Sequence, residues 1–586
     1  MKLILKEYLA NLRERDELDA ILPDLLSELG FTVLSTPARG TKQHGVDVAA
    51  VGALDGGSKK LWLFSVKAGN LTRNEWCAGS PQNLQPSLDE IQNSYLTSSR
   101  VPARYRHLEV SICICIGGVV REEVRADVEG YIARHSRNRL SFEVWNGDFL
   151  AELVLNAFLR EELLPKNVQM HLRKAVALVE EPDAAFRHFD KLMQSLLERA
   201  GVIRTRKITA LRQINIALWV LYAWCRGGEN VKAALLGSER ALLLAWRAAK
   251  GDLDSAAKGS KQLVGLAHEI LTLHWRISAH YLEERIFPHA ASLYAVSAAV
   301  RPGASIDVNL QLFNLLGQIA LAGLWRVHLR SRIGDDNLDG ITEAKASINL
   351  YAEKLCDLIN ANPALLSPVS EDQTIDISLA AMFLAAAGRQ RFLGDWLSEI
   401  VDRSAFSFAT HGAYPCVHGD YRGLAHHPKA QDEEYFKTAT SGSILFPTIA
   451  LWAGLLRHPA LFEKVRQLRA EHLPHSTFQL WFPGEDSEDA FYVDEDGHGG
   501  SFDTINLDAG PDAFLDELCA ECEANEAFEG LSAVKAGIWP IILTACRHYR
   551  TPPPVNFVIE PYRQQKTRGE KQCAEAEVGS PQPQAV

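Results

Sequence analysis

The period of the apolar positions changes along the chain, and each change predicts a different kind of element. Leu18, Ile21, Leu22, Leu25, Leu26 and Leu29 fall on one helical stripe over residues 16–29, closed by Gly30. Compact runs at 31–34, 46–51 and 61–66 read as strands, separated by a loop at 38–45 and a turn at Asp55-Gly-Gly57. A helix follows at 87–97, with Leu88, Ile91 and Tyr95 on one face. Then come a buried strand at 109–116 closed by Gly117-Gly118, a helix at 122–136, a strand at 140–145 and a helix at 148–158 capped by Asp148. The order α-β-β-β-α-β-α-β-α predicts a mixed α/β domain over residues 1–165.

Beyond residue 165 the strand signal fades. Helical periodicity runs through 186–200, 206–225, 230–249, 262–281, 309–330 and 341–359, with no regular repeat, so residues 166–470 are expected to form an irregular helical array acting as a sensor or scaffold. Aromatic residues among turns predict a small α+β part at 471–562. The tail at 563–586, rich in Gln, Glu, Gly and Pro, is expected to be disordered. Two uncharged runs, 308–325 and 438–456, approach the length of a membrane span. Asn309, Gln311, Asn314 and Gln318 interrupt the first, and Ser441, Gly442, Ser443 and Pro447 the second. Buried helices and no membrane contact are therefore expected, with a membrane-associated helical protein as the weakest alternative.

Composition narrows the function classes. The 586 residues carry 47% hydrophobic and 23% charged residues, the balance of a globular chain. The net charge is −12, and residues 1–165 hold 19 Lys+Arg against 22 Asp+Glu, so any nucleic-acid contact needs a local patch and a protein partner or homo-oligomer to supply affinity. Ten cysteines in this length form no disulfide framework, and Cys113 and Cys115 sit inside an apolar run. The opening Met-Lys-Leu-Ile-Leu-Lys-Glu meets charge too early for a secretory signal, so a cytoplasmic location is expected.

The chemistry-bearing stretch is Gly45-Val-Asp-Val48 followed, one hairpin later, by Phe64-Ser-Val-Lys67. Antiparallel pairing of the two strands brings Asp47 and Lys67 to one end of the sheet. A carboxylate able to hold a metal beside a lysine able to stabilise a phosphorane suits phosphodiester hydrolysis. The two side chains are expected on one face of the sheet; a one-residue difference in register would put them on opposite faces and end this reading.

Residues 15–165 resemble the PD-(D/E)xK nuclease superfamily, particularly Mrr-like restriction endonucleases. The resemblance rests on the helix ending in Leu29-Gly-Phe31, Gly45-x-Asp47 in a hairpin, Lys67 closing it, the strand at 110–116 and the segment Phe142-Glu-Val-Trp-Asn-Gly-Asp-Phe-Leu150. It implies a restriction-endonuclease-like fold and Mg²⁺-dependent cleavage of DNA, with Mn²⁺ as a substitute. In that light Asp47 is the principal metal ligand, joined by Asp19 of the first helix and the carbonyl of Val66, with Glu17 and Glu28 as competitors for Asp19; Lys67 positions the attacking water. The pattern departs at Ser65, where the family carries Glu, Asp or Gln. The resemblance implies an effector nuclease of prokaryotic antiviral defence or restriction. A catalytically inactive nuclease-fold scaffold that binds nucleic acid or protein is the alternative. Thr72, Arg73 and Asn74, beyond Gly69, are candidate phosphate contacts.

Three weaker signals remain. His411, Cys416, His418, Asp420, His426 and His427 are ligand types for zinc, but their spacing matches no standard finger, and a plain loop is expected. Cys519 and Cys522 form a lone pair, expected in a core. The acidic residues at 485–489 and 494–496 lack calcium-loop spacing and read as a solvated loop.

Overall fold

The computed structural model describes residue 6, residues 9–10 and residues 18–566, apart from 36–43, 55, 78, 80–82, 99, 159–165, 301–302, 305, 494–497, 561 and 564–565. The chain divides into two compact units, Met1–Ile277 and Ser278–Val586, the division falling inside the helix Lys258–Ala279. The helices between 166 and 277 thus group with the sheet instead of opening a separate array at residue 166. One of them, Arg204–Gly227, packs mainly against Pro182–Ala200 and Lys232–Ala249 and also touches the helix Asp19–Glu28.

In the first unit, β1 (Thr32–Ser35), β2 (Val48–Gly52), β3 (Lys60–Lys67), β4 (Val110–Ile116) and β5 (Leu140–Trp145) form one sheet in chain order. β1–β2 and β2–β3 are antiparallel, whereas β3–β4 and β4–β5 are parallel. Four helices flank it: α1 (Asp19–Glu28), α2 (Leu84–Glu90), α3 (Glu122–His135) and α4 (Gly147–Phe158). The side chains of β3 alternate between two buried faces, so its sequence is a continuous apolar run. Leu61 and Leu63 join Ala49, Val51, Ile112, Ile114 and Ile116 under the side chains of α2 and α3. Trp62 and Phe64 join Phe31, Trp145 and Phe149 in an aromatic chain with ring centroids 5.0 to 6.3 Å apart.

Local departures have local causes. The helix expected at 87–97 begins at Leu84 and widens into a π turn at Ile91–Tyr95. Asp148 does not cap α4. Asn146 does, its Oδ1 accepting from the Phe149 N–H at 2.9 Å, while Asp148 lies within the helix and meets Lys6 at 3.3 Å.

In the second unit, Ile306–Ser331 crosses Gln373–Ala386 so closely that a Cβ at Gly323 would stand 2.3 Å from the Phe383 ring. The uncharged run 308–325 lies in this crossing and is mostly buried within the protein. Its polar groups are engaged: Asn309 donates to the carbonyls of Ala364 and Ser367 at 3.3 and 2.9 Å, and Asn314 accepts from Arg547 at 2.9 Å. The run 438–456 is not one helix but the end of Glu433–Ala439, a two-residue strand and Leu445–Leu455. Arg204–Gly227, a long apolar helix that the polar interruptions did not single out, is also mostly buried.

The region 471–562 does not stand apart from the preceding helices, because Gly442–Ser443 pairs in parallel with Thr477–Phe478. It contains the short strand pair Leu480–Phe482 and Gly500–Phe502, but helices Pro511–Ala524 and Pro540–Tyr549 dominate it. Cys519 and Cys522 are buried on the first of these. Glu488 of the acidic segment accepts from the Ser532 N–H and hydroxyl at 2.8 and 2.7 Å, a local tie. Residues 494–496 and almost all of the tail lie outside the described residues.

Candidate active site

The carboxyl end of β3 is organised by its backbone. In a parallel pair, alternate residues turn both backbone groups toward one neighbour. The Leu61 N–H bonds the Glu109 carbonyl at 2.8 Å and the Gly117 N–H bonds the Lys67 carbonyl at 3.3 Å, so the odd-numbered residues of β3 face β4. Val66 therefore turns its N–H and its carbonyl toward the β2 edge.

Asp47 meets that edge. The register pairs Phe64 with Val48, yet the Asp47 N–H also reaches the Phe64 carbonyl, at 2.8 Å. Two residues thus face one carbonyl, as at a bulge, and β2 starts at Val48, two residues later than the apolar pattern predicts. The preceding turn holds His44 and Gly45 at φ of 52° and 77°. Gly45 is required there, since a Cβ would lie 2.2 Å from the Ser87 carbonyl. This turn directs the Asp47 carboxylate into the plane of the sheet, where Oδ2 accepts from the Val66 N–H at 2.7 Å.

Ser65 and Lys67 leave β3 on the face of Leu61 and Leu63, by alternation. Ser65 is only 2% exposed, whereas Lys67 is half-buried. Asp47 instead approaches along the edge between the faces. Burial, and then the negative charge of Asp47, holds the Cys115 thiol well above its ordinary range, so this neighbour keeps its proton. Asp19 is buried in the first turn of α1, which packs on β1 and β2. Glu17 and the side chain of Glu28 lie outside the described residues.

The donors assembled at the edge are oxygens: the Asp47 carboxylate and the Val66 carbonyl, with the Cys115 thiol protonated. That set fits a hard cation such as Mg²⁺, which takes few protein ligands and keeps several waters. The buried, neutral Ser65 adds no charge.

The segment after β3, with its candidate phosphate contacts, is held by local hydrogen bonds. The Thr72 N–H and hydroxyl both donate to the Glu75 carboxylate, at 3.1 and 3.2 Å, which folds back over the start of the short helix Arg73–Cys77. The Arg73 N–H bonds Glu123 at 3.4 Å, and the Asn74 carbonyl accepts from Asn83. Two carboxylates, Glu75 and Glu123, thus take backbone N–H groups of this segment. The Arg73 side chain is exposed.

Of the six potential zinc ligands, the second unit brings three together. Ligand atoms of Cys416, His418 and His427 lie within 4.8 Å of one another. Asp420 instead caps the helix Tyr421–Ala425, His426 bonds the Arg422 carbonyl, and His411 ends Gln390–Thr410 in the left-handed region. Sequence spacing alone could not select these three, because a turn and a short helix separate His418 from His427. No protein-family model matches the chain, and comparison with curated proteins and with solved structures gives no significant match.

Proposed function

We propose that the protein is a metal-dependent DNA endonuclease of the PD-(D/E)xK type, an effector of prokaryotic defence or restriction controlled by its helical remainder or a partner. The observation that carries this reading is the Asp47 carboxylate seated against the Val66 N–H, at the strand end that bears Ser65 and Lys67. Asp47 and the Val66 carbonyl would hold Mg²⁺, which would supply Lewis-acid polarisation of the scissile phosphate. Lys67, one residue beyond, orients the attacking water and balances charge developing on the phosphate. Asp19, buried in the first turn of α1, would complete the ligand set.

Supercoiled plasmid incubated with the purified chain tests this. Nicking or linearisation is expected with Mg²⁺ or Mn²⁺, with none in EDTA and none for Asp47→Ala. Equal cleavage by the wild type and Asp47→Ala rejects the assignment.

A second reading, an inactive nuclease-fold scaffold, draws support from the buried, uncharged Ser65 and from the commitment of Thr72 to Glu75. It predicts DNA or protein binding that is indifferent to EDTA and no cleavage under any metal.

A further inference from the structure

We propose that Cys416, His418 and His427 form a zinc-binding site, with the Tyr435 hydroxyl marking the fourth position. The site is separate from the sheet and does not rest on the nuclease reading.

The hydrogen bonds specify which atoms would bind. His427 Nε2 lies 2.9 Å from the Tyr414 carbonyl, an acceptor only, so this nitrogen carries the ring proton and Nδ1 keeps its lone pair. A ligating imidazole is commonly fixed in this way, its other nitrogen donating to a backbone carbonyl. Nδ1 of His427 stands 2.8 Å from the Tyr435 hydroxyl, and Nε2 of His418 stands 3.3 Å from the same oxygen. Two imidazoles thus converge on one point. The Cys416 sulfur completes the group within 4.8 Å, buried and backed by the Val369 carbonyl at 3.3 Å. Its backbone is anchored too, the Glu371 N–H bonding the Cys416 carbonyl at 2.9 Å.

Nitrogen and sulfur donors select zinc over Mg²⁺. Zn–N near 2.0–2.1 Å and Zn–S near 2.3 Å imply tetrahedral edges of about 3.3–3.6 Å, so the ligand atoms need close by only about 1 Å. Zinc takes cysteine as the thiolate, so binding displaces the Cys416 proton.

The test uses the full chain stripped with EDTA and titrated first with Co²⁺, then with Zn²⁺. One equivalent of Co²⁺ should give tetrahedral d–d bands and a thiolate-to-cobalt charge-transfer band, both erased by Zn²⁺. Cys416→Ser and His427→Gln should each weaken Zn²⁺ binding at least about a hundredfold, since even the outer partners of ligating histidines are worth roughly 10–100-fold. His426→Gln should bind as the wild type does. Absence of the charge-transfer band overturns the proposal, as does undiminished binding by Cys416→Ser and His427→Gln or an equal loss in His426→Gln. Should Cys416→Ser fail to fold, the wild-type band and His427→Gln decide.

Discussion

The Asp47 carboxylate accepts a hydrogen bond from the Val66 N–H at 2.7 Å, taking the place of a strand partner where the β2–β3 ladder ends. This contact brings the carboxylate beside Ser65-Val-Lys67 without requiring it to share a face of the sheet with Lys67. It also ties one carboxylate oxygen to the backbone, which fixes the direction of the other.

Removing either charged group should abolish metal-dependent cleavage. Asp47→Ala and Lys67→Ala are each expected to lower the cleavage rate by at least about a hundredfold, the scale of losing one electrostatic contact to a transition state. Single-turnover plasmid cleavage checks this. Binding of labelled DNA in EDTA should change far less for Asp47→Ala than the rate does.

Ser65→Glu separates metal affinity from folding. At 2% exposure the new carboxylate is buried, so without metal the variant should lose about 3–5 kcal/mol of stability, the cost of an uncompensated buried charge. Millimolar Mg²⁺ should restore much of this and shift half-maximal cleavage to lower Mg²⁺ concentration. Urea denaturation with and without Mg²⁺ measures the first effect; equal midpoints would show that no metal reaches residue 65.

Asp376 and Arg550 form a two-pronged ion pair at 2.8 and 3.2 Å, with Asp376 only 1% exposed. Arg550→Met is expected to destabilise the protein by about 3–5 kcal/mol, because the carboxylate stays buried without its cation. Adding Asp376→Asn should recover part of that loss. Denaturant midpoints of the single and double variants form the cycle that checks it.

His328 predicts a loss of stability in acid. It packs edge-on between Trp325 and Trp539 at 5.9 Å each, and burial, then Arg332, hold its pKa below the ordinary histidine value. Because the folded pKa is the depressed one, the stability contributed is fully present above the unfolded value near about 6.5 and is lost as pH falls through the folded value. His328→Phe should flatten this part of the pH profile in thermal denaturation between about pH 7 and pH 5. An unchanged slope would refute the assignment.

Local pattern alone determined the order of the five strands and four flanking helices between residues 19 and 158, though not the short helix Arg73–Cys77, because period-2 and period-3.6 burial leave different traces in the order of apolar residues. The five strands appear within two residues of their expected limits. Gly45-x-Asp47 and Ser65-Val-Lys67 were legible for the same reason, since a hairpin brings its two ends together. The bulge at Asp47 was not legible. It depends on the left-handed turn at His44 and Gly45 and on the approach of Gly45 to Ser87, contacts that join distant parts of the chain. Thr72 was read only as a candidate phosphate contact, and the bonds of its N–H and hydroxyl to the Glu75 carboxylate were not foreseen.

Tertiary structure alone decided which helices group with the sheet and which cysteine and histidines converge. Each helix between 166 and 277 has an apolar stripe whose partner is set by packing, not by its own order of residues. His418 and His427 meet at the Tyr435 hydroxyl, with the far side of the His427 ring held by the Tyr414 carbonyl and Cys416 held by Val369, whereas Asp420 and His426 are drawn off by a nearby N–H and a carbonyl. Spacing along the chain records which ligands are available; only the fold determines which of them share a point in space.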